Sequence, residues 1–248
     1  MVSAGIDIGS RTVKLVLIED GKIIMSRKSE NSFNVLEKCD ELIGGVEFDN
    51  IMATGYGRHL FAERHNSKVV SEITAFATGS HHLYPSTRTI LDIGGQDTKA
   101  ISLDERGKIR RFEMNDRCAA GTGRFLEIMA MALGLSLDEF GDKAFQEGEP
   151  EKINNMCTVF AESEVVSLTA KGVSRTSLAK GIMQSVVNRS IGQMKKVGIE
   201  SDIVFVGGVA LNKGMVALLR HTLGVEIHIP EDPQIVGALG AALILNRY

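Results

Sequence analysis

The chain has 248 residues, 44% of them hydrophobic, enough apolar material for a sizeable core, which excludes disorder as its main state. Its 28 basic and 31 acidic residues nearly cancel to a formal net charge of −3, so the charge balance favours neither nucleic acid nor a membrane surface as partner. The longest apolar stretch, residues 235–245, is interrupted by Gly237 and Gly240 and falls well short of the ~20 residues that a membrane-spanning helix needs. The opening residues, MVSAGIDIGS, lack a charged segment followed by an apolar core, so no signal peptide is expected. Three scattered cysteines, Cys39, Cys118 and Cys157, show no CxxC spacing and argue against a secreted disulfide framework. These features predict a soluble, cytoplasmic protein, and the alternation of sheet and helix along the chain makes it α/β.

Residues 4–28 read as three antiparallel strands joined by a DIGS turn and a Glu19-Asp20-Gly21 turn. A strand follows at residues 50–54, then helical patterning over 72–82. Residues 89–103 repeat the opening unit. Asp7 aligns with Asp92, Gly9 with Gly94, Lys14 with Lys99 and Ile18 with Leu103 at one constant offset, and one extra turn residue then brings Lys22 opposite Lys108. Self-similarity at this spacing predicts two halves of one topology facing each other across a cleft, divided as residues 1–86 and 87–248. Helices are expected at 123–133, 159–171 and 178–197, a buried strand at 202–206, a strand at 226–229, and a small-residue helix at 234–246 that can pack back on the first half.

Neither GxxxxGK[ST] nor a complete GxGxxG after a strand is present, so phosphate chemistry must come from another source. In both repeats an Asp ends an apolar strand and glycines follow at once, letting the backbone approach an anion and offer its N–H groups. Two such hairpins would grip a polyphosphate from both sides. Asp7 and Asp92 would then lie near the phosphates, where Mg²⁺ and its waters would make two carboxylates tolerable. A third glycine turn, Gly207-Gly208, ends the buried strand at 202–206 and would let a flat base lie against the backbone.

In this order the three turns resemble the superfamily of actin, sugar kinases and Hsp70-type chaperones, whose two ribonuclease-H-like halves bind ATP. AGIDIGSRTVK is similar to its phosphate-1 motif, TILDIGGQDTK to phosphate-2, and IVFVGGVALN to its adenosine motif. The resemblance implies an ATP/ADP cleft with Gly9, Ser10, Lys14, Gly94, Gly95 and Gln96 at the phosphates, Gly207 and Gly208 at the nucleoside, and Asp7 and Asp92 organising metal and water. It also nominates Glu72, at the start of the connecting helix, to position the attacking water; a solvated carboxylate favoured by the helix dipole is the competing reading.

Cys118 and Cys157 each precede a helical segment, where the helix dipole favours a thiolate or a bound anion. Read from the residues alone, they are either ordinary thiols or half of a four-thiolate site completed by a twofold copy, the ligand count of a [4Fe–4S] cluster. Small residues at Ala119, Ala120, Gly121 and Gly123 would suit close approach across such an axis. Cys39 belongs to no motif and reads as a core or surface thiol.

The strings NDRCAAGTGRFLE and MCTVFAESEV closely resemble the cluster-ligand motifs of ATP-dependent activators of 2-hydroxyacyl-CoA dehydratases, relatives of benzoyl-CoA reductase ATPase subunits and of activators of double-cubane-cluster proteins. The resemblance spans nearly the whole chain. It implies a homodimeric ATPase with one [4Fe–4S] cluster per dimer, ligated by Cys118 and Cys157, that passes low-potential single electrons from ferredoxin or flavodoxin to an iron–sulfur partner enzyme. The rival readings are a small-molecule kinase of the same superfamily, which would not need both cysteines, and a filament-forming or chaperone-like ATPase, for which no peptide-binding segment is evident.

Overall fold

The computed structural model describes residues 1–155 and 157–245. β1 (Val2–Ile8), β2 (Thr12–Glu19) and β3 (Lys22–Glu30) form the expected meander, with Asp7 opposite Lys14 in the β1–β2 register. Asp20 and Gly21 take φ of 49° and 76°, the left-handed geometry that lets a two-residue turn follow the twist of its strands. α1 (Val35–Ile43) leads to β4 (Asn50–Thr54), which lies parallel to β1, and α2 (Arg58–His65) leads to β5 (Lys68–Val69) beside β4. The first sheet has the order β3-β2-β1-β4-β5.

α3 (Glu72–Leu83) carries the chain to a second meander, β6 (Thr89–Ile93), β7 (Thr98–Leu103) and β8 (Ile109–Asn115), with Asp92 opposite Lys99. Four helices follow: α4 (Gly123–Ala132), α5 (Leu137–Asp142), α6 (Thr158–Ala170) and α7 (Arg175–Val197). β9 (Ile203–Val206) pairs in parallel with β6, α8 (Lys213–Leu223) crosses over, β10 (Ile227–His228) pairs with β9, and α9 (Val236–Leu245) ends the described chain. The second sheet, β10-β9-β6-β7-β8, is the first read in reverse, so the repeat seen in the sequence is a repeat of topology.

Each half has its own apolar core. One gathers Ile6, Leu15, Phe61 and Cys39 around the first sheet; the larger one packs α4, α7 and α8 on the second through Phe125, Ile182, Val186 and Phe205. α9 is buried at every position but Ile244 and returns to the first sheet, where Ala238, Leu239 and Ala242 meet Val16 and Ile18. It also crosses α3 at backbone distance: a Cβ on Gly79 would collide with the Val236 carbonyl, and one on Gly240 with the Ala75 carbonyl. α1, α2, α5, α8 and β5 are additions to the sequence reading. α2 buries only Phe61, too few positions for a readable apolar stripe, whereas α1 has one, Val35, Leu36, Cys39, Leu42 and Ile43, which the sequence reading passed over. α7 starts three residues before the expected 178 because Ser174 caps it, its hydroxyl accepting from Ser177 N. The expected last residue of α9, Asn246, lies outside the described residues, as does Met156 of the second cysteine motif.

Candidate functional site

The two meanders bring Asp7, Gly9, Ser10, Lys14, Glu72, Asp92, Gly94, Gly95, Gln96, Gly207 and Gly208 to the walls of one cleft of about 830 Å³. Both glycine turns close the same way: Gly9 N donates to Thr12 O at 3.0 Å and Gly94 N to Asp97 O at 2.9 Å. They face each other closely enough that a Cβ on Gly95 would strike the Arg11 side chain and touch Ser10 Oγ.

Within the cleft the two repeats differ. Lys14 Nζ, largely buried, makes a single ion pair, 3.1 Å from Asp7 Oδ2. Lys99 is 1% exposed and lies 2.9 Å from Asp92 Oδ2, 2.7 Å from Asp97 Oδ2 and 3.3 Å from Glu72 Oε1, with its ammonium 5.4 Å from the Phe76 ring centroid. Burial works against the Lys99 charge, but the carboxylates of Asp92, Glu72 and Asp97 outweigh it and hold its pKa above the usual lysine value. Burial likewise raises the Asp92 carboxyl, opposed by Lys99. At Glu72 burial dominates, Lys99 offsets part of it, and the pKa is pushed up to about 7. Glu72 is therefore not the solvated carboxylate of the competing reading. Ser71 caps α3 through Thr74 N, and the helix start aims Glu72 into the cleft. A water held there would meet a base poised near neutrality.

Asp7 and Asp92 each turn their second oxygen away from the lysine, where it is buried without a hydrogen-bond partner. These oxygens press on two glycines that end the neighbouring parallel strands. A Cβ on Gly55 would collide with Asp7 Oδ1, and one on Gly207 with Asp92 Oδ1; both glycines have positive φ, 88° and 86°. Gly207 is thus constrained by its contact with Asp92, and it also lines the cleft, where the sequence reading expects the nucleoside. A Cβ on Gly208 would meet only Gln234 Nε2, at an ordinary contact distance of 3.5 Å. Gly55, Asp97, Lys99 and Arg11 are site residues absent from the sequence nomination. The repeat already carried the signal for Lys99, its match to Lys14, and the Thr54-Gly55 step after β4 carried that for Gly55.

Cys118 and Cys157 lie outside the cleft, and both are exposed. Cys157 occupies the N-cap of α6, as expected from the sequence. Cys118 does not sit at a helix terminus: α4 begins only at Gly123 with Thr122 as N-cap, and Cys118 belongs to the preceding loop, its carbonyl accepting from Asn115 Nδ2 at 2.8 Å. The small residues after it answer to contacts within the chain. Ala120 and Gly121 are buried, Gly121 has φ of 85° and lies against Arg189, and Gly123 abuts the Gly94 carbonyl. The first N–H groups of α4 are spent on the cleft, Gly123 N donating to Gly94 O at 2.9 Å and Arg124 N to Gly95 O at 2.8 Å, and Thr98 Oγ1 donates to Gly121 O. The loop of Cys118 is thereby fastened to the second glycine turn.

The segment before Cys157 is held from α6. Glu164 accepts from Asn154 N and Nδ2 at Oε1 and from Asn155 N and Nδ2 at Oε2, all at 2.8–3.0 Å. Partial burial pushes this carboxyl up, and the four donors outweigh it and leave the pKa below the ordinary glutamate value. On α6 Val159 and Phe160, in the turn that follows Cys157, are exposed, as is Val166 farther along. Cys39 is wholly buried in the first core, and burial pushes its thiol up to about 12. Among the described residues no three His, Cys, Asp or Glu side chains gather as a ready metal site, and no helix is long and apolar enough to cross a membrane.

Two sheets of one order around a glycine- and carboxylate-lined cleft define a nucleotide-binding fold of the actin, Hsp70 and sugar kinase type. A ROK family glucokinase from Streptomyces griseus, solved with glucose and AMPPNP, matches the whole chain at TM-score 0.65 and 12% identity, a likeness of fold alone. Within that class the chain belongs to the BadF/BadG/BcrA/BcrD ATPase family, whose profile matches residues 4–244. The activator of lactoyl-CoA dehydratase from Anaerotignum propionicum is 44% identical over 98% of this chain and 96% of its own. Component A of the (R)-2-hydroxyglutaryl-CoA dehydratase of Acidaminococcus fermentans superposes at TM-score 0.91 with 37% identity, covering 98% of this chain and 97% of that one. The activator of the 2-hydroxyisocaproyl-CoA dehydratase from Clostridium difficile, solved with bound ADPNP, gives 0.88 at 39% identity, covering 98% and 94%.

Proposed function

We propose that the protein is a cytoplasmic, homodimeric ATPase that activates an iron–sulfur partner enzyme, such as a 2-hydroxyacyl-CoA dehydratase or a double-cubane-cluster protein, by delivering single low-potential electrons taken from ferredoxin or flavodoxin. In this reading residues 1–86 and 87–248 are its two halves, with α9 lending cover to the first. The names of its relatives support the choice of partner class, and the ADPNP-bound relative supports the cleft as an ATP site. The observation that carries the proposal is the junction of the two sites: the loop bearing an exposed Cys118 leads into a helix whose first N–H groups bond the carbonyls of Gly94 and Gly95 in the cleft.

The donor set fits a shared cluster. Each chain offers two exposed, unbridged thiols and no third ligand beside them among the described residues, half of a four-thiolate set that a second copy would complete. Once bound, a [4Fe–4S] group would supply one-electron chemistry. Mg²⁺ also fits, on different terms. One oxygen of each of Asp7 and Asp92 is taken by a lysine and the other is pressed on a glycine, so these carboxylates suit a metal held through its waters.

Lys14, with one carboxylate partner, has donors left for a phosphate, and the glycine turns present backbone to it. Glu72, held by Lys99 beside the cleft, would orient the attacking water and accept its proton. Hydrolysis would change what Gly94 and Gly95 contact, and α4 would carry that change to the Cys118 loop. Anaerobic purification tests the reading: about four irons per dimer and ATP-dependent reduction of a partner dehydratase are expected. Iron-free protein that hydrolyses ATP would reduce it to an ATPase of other purpose.

A further inference from the structure

Arg11 stands in the first glycine turn, in the first half of the molecule, yet its charged end is committed to the second. Its Nη2 lies 3.2 Å from Glu127 Oε1 on α4, while its stem passes over Gly95. The Arg11 side chain is half exposed and lines the cleft, and Glu127, one fifth exposed, lines it too. Glu127 has a second cation, Arg124 Nη1, at 3.0 Å from its other oxygen.

Partly exposed pairs of this kind are weak, and a phosphate with two negative charges in the same cleft competes well for a guanidinium that can bind it through two parallel N–H groups. Letting go of Arg11 would not strand Glu127, because Arg124 remains beside it. The exchange is therefore cheap for the protein.

We propose that Arg11 is a nucleotide-phosphate ligand held in reserve by Glu127, so that a triphosphate in the cleft draws Arg11 off α4 and releases the first half's ionic tie to that helix. The inference rests on the cleft being an ATP site. It adds a route from phosphate to α4 that runs through the first half, distinct from the backbone bonds at Gly94 and Gly95.

The signs of two substitutions separate a reserve ligand from a structural clamp. Arg11→Gln removes the ligand and weakens ADPNP binding, whereas Glu127→Gln removes only the competitor and tightens it. Each change is about two- to fivefold, the range that exposed ion pairs support. The double variant should match Arg11→Gln, since without Arg11 there is nothing for Glu127 to withhold. Titration calorimetry with ADPNP and with ADP, on wild type and all three variants, reads this directly, and the effects should be smaller with ADP. Unfolding of the nucleotide-free variants should stay within about 0.5 kcal/mol of wild type. Weakening by Glu127→Gln, or no effect from either single change, would overturn the proposal. Wild type that binds neither nucleotide would instead overturn the reading of the cleft.

Discussion

Every carboxylate at the centre of the nucleotide cleft has a lysine beside it in the chain. Asp7 has Lys14, and Asp92, Asp97 and Glu72 share Lys99, with Lys99 and Asp92 almost wholly buried. At the cysteine edge the chemistry-bearing groups stand in the open: Cys118 and Cys157 are exposed, and the apolar residues beside Cys157 have water as their neighbour. The difference teaches which site is finished. A cleft in which every central carboxylate already has a lysine beside it is assembled by folding alone, whereas an edge with two thiols and bare Val159 and Phe160 gains from a second molecule.

The largest effect that would break this contrast is at the thiols. Cys118→Ser or Cys157→Ser removes two ligands from a twofold-shared centre, so visible iron–sulfur absorption and bound iron should vanish while nucleotide binding persists; Cys39→Ser should keep both. Iron analysis and reduced-state EPR check it, and a full cluster in either of the first two variants would end the assignment. Next in size is Lys99→Met, which strands three carboxylates and should cost roughly 3–5 kcal/mol in urea unfolding. Lys14→Met leaves one carboxylate unmatched and should cost about 1–2 kcal/mol, with a larger loss in nucleotide affinity. The opposite ranking would mean that the cleft does not depend on Lys99 for its charge balance.

Glu72→Gln sharpens the contrast by going the other way. Its folded pKa of about 7 stands above the 4.5 of a free glutamate, so the fold prefers the protonated form. The stability this group contributes is complete below about pH 4 and declines as the pH rises through about 7. Glutamine cannot ionise, so at pH 8 the nucleotide-free variant should be more stable than wild type by on the order of 2 kcal/mol, a gain that disappears near pH 4. Its ATP hydrolysis should fall about 10²-fold or more with little change in nucleotide affinity. Equal losses in both would leave Glu72 a structural residue. The smallest effect belongs to Glu164→Gln. One amide oxygen cannot accept what two carboxylate oxygens accept, so two of the four donors on Asn154 and Asn155 lose their partner. Backbone amide exchange at those residues should quicken about tenfold, with global stability nearly unchanged. Unchanged exchange would show that the segment before Cys157 is held by something other than Glu164.

The sequence made the strands of both meanders legible because each is a short apolar run ended by a turn with its own chemistry, and because the repeat let one half check the other. It located the glycine turns and both aspartates for the same reason. Arg11 and Gly55 escaped because their roles are defined across the fold: Arg11 matters through Glu127, far along the chain, and Gly55 through the carboxylate of Asp7 on a neighbouring strand. The expected start of α4 at 123 agrees with the structure, and what the sequence did not show is that Cys118 stands apart from it, in a loop whose path is set by hydrogen bonds reaching Asn115, Thr98 and the second glycine turn.

The return of α9 to the first sheet bears on how the chain is made. The inner side of β1 and β2 stays open to water while the whole second half is being translated, since Val16 and Ile18 are covered by residues that leave the ribosome only after position 234. A nascent first half is therefore an incomplete body that cannot bank its full stability early, and its exposed sheet is open to wrong partners for most of synthesis. Completion of the first half and closure of the second come together, at the last helix, so the two sides of the cleft become firm in a single late event.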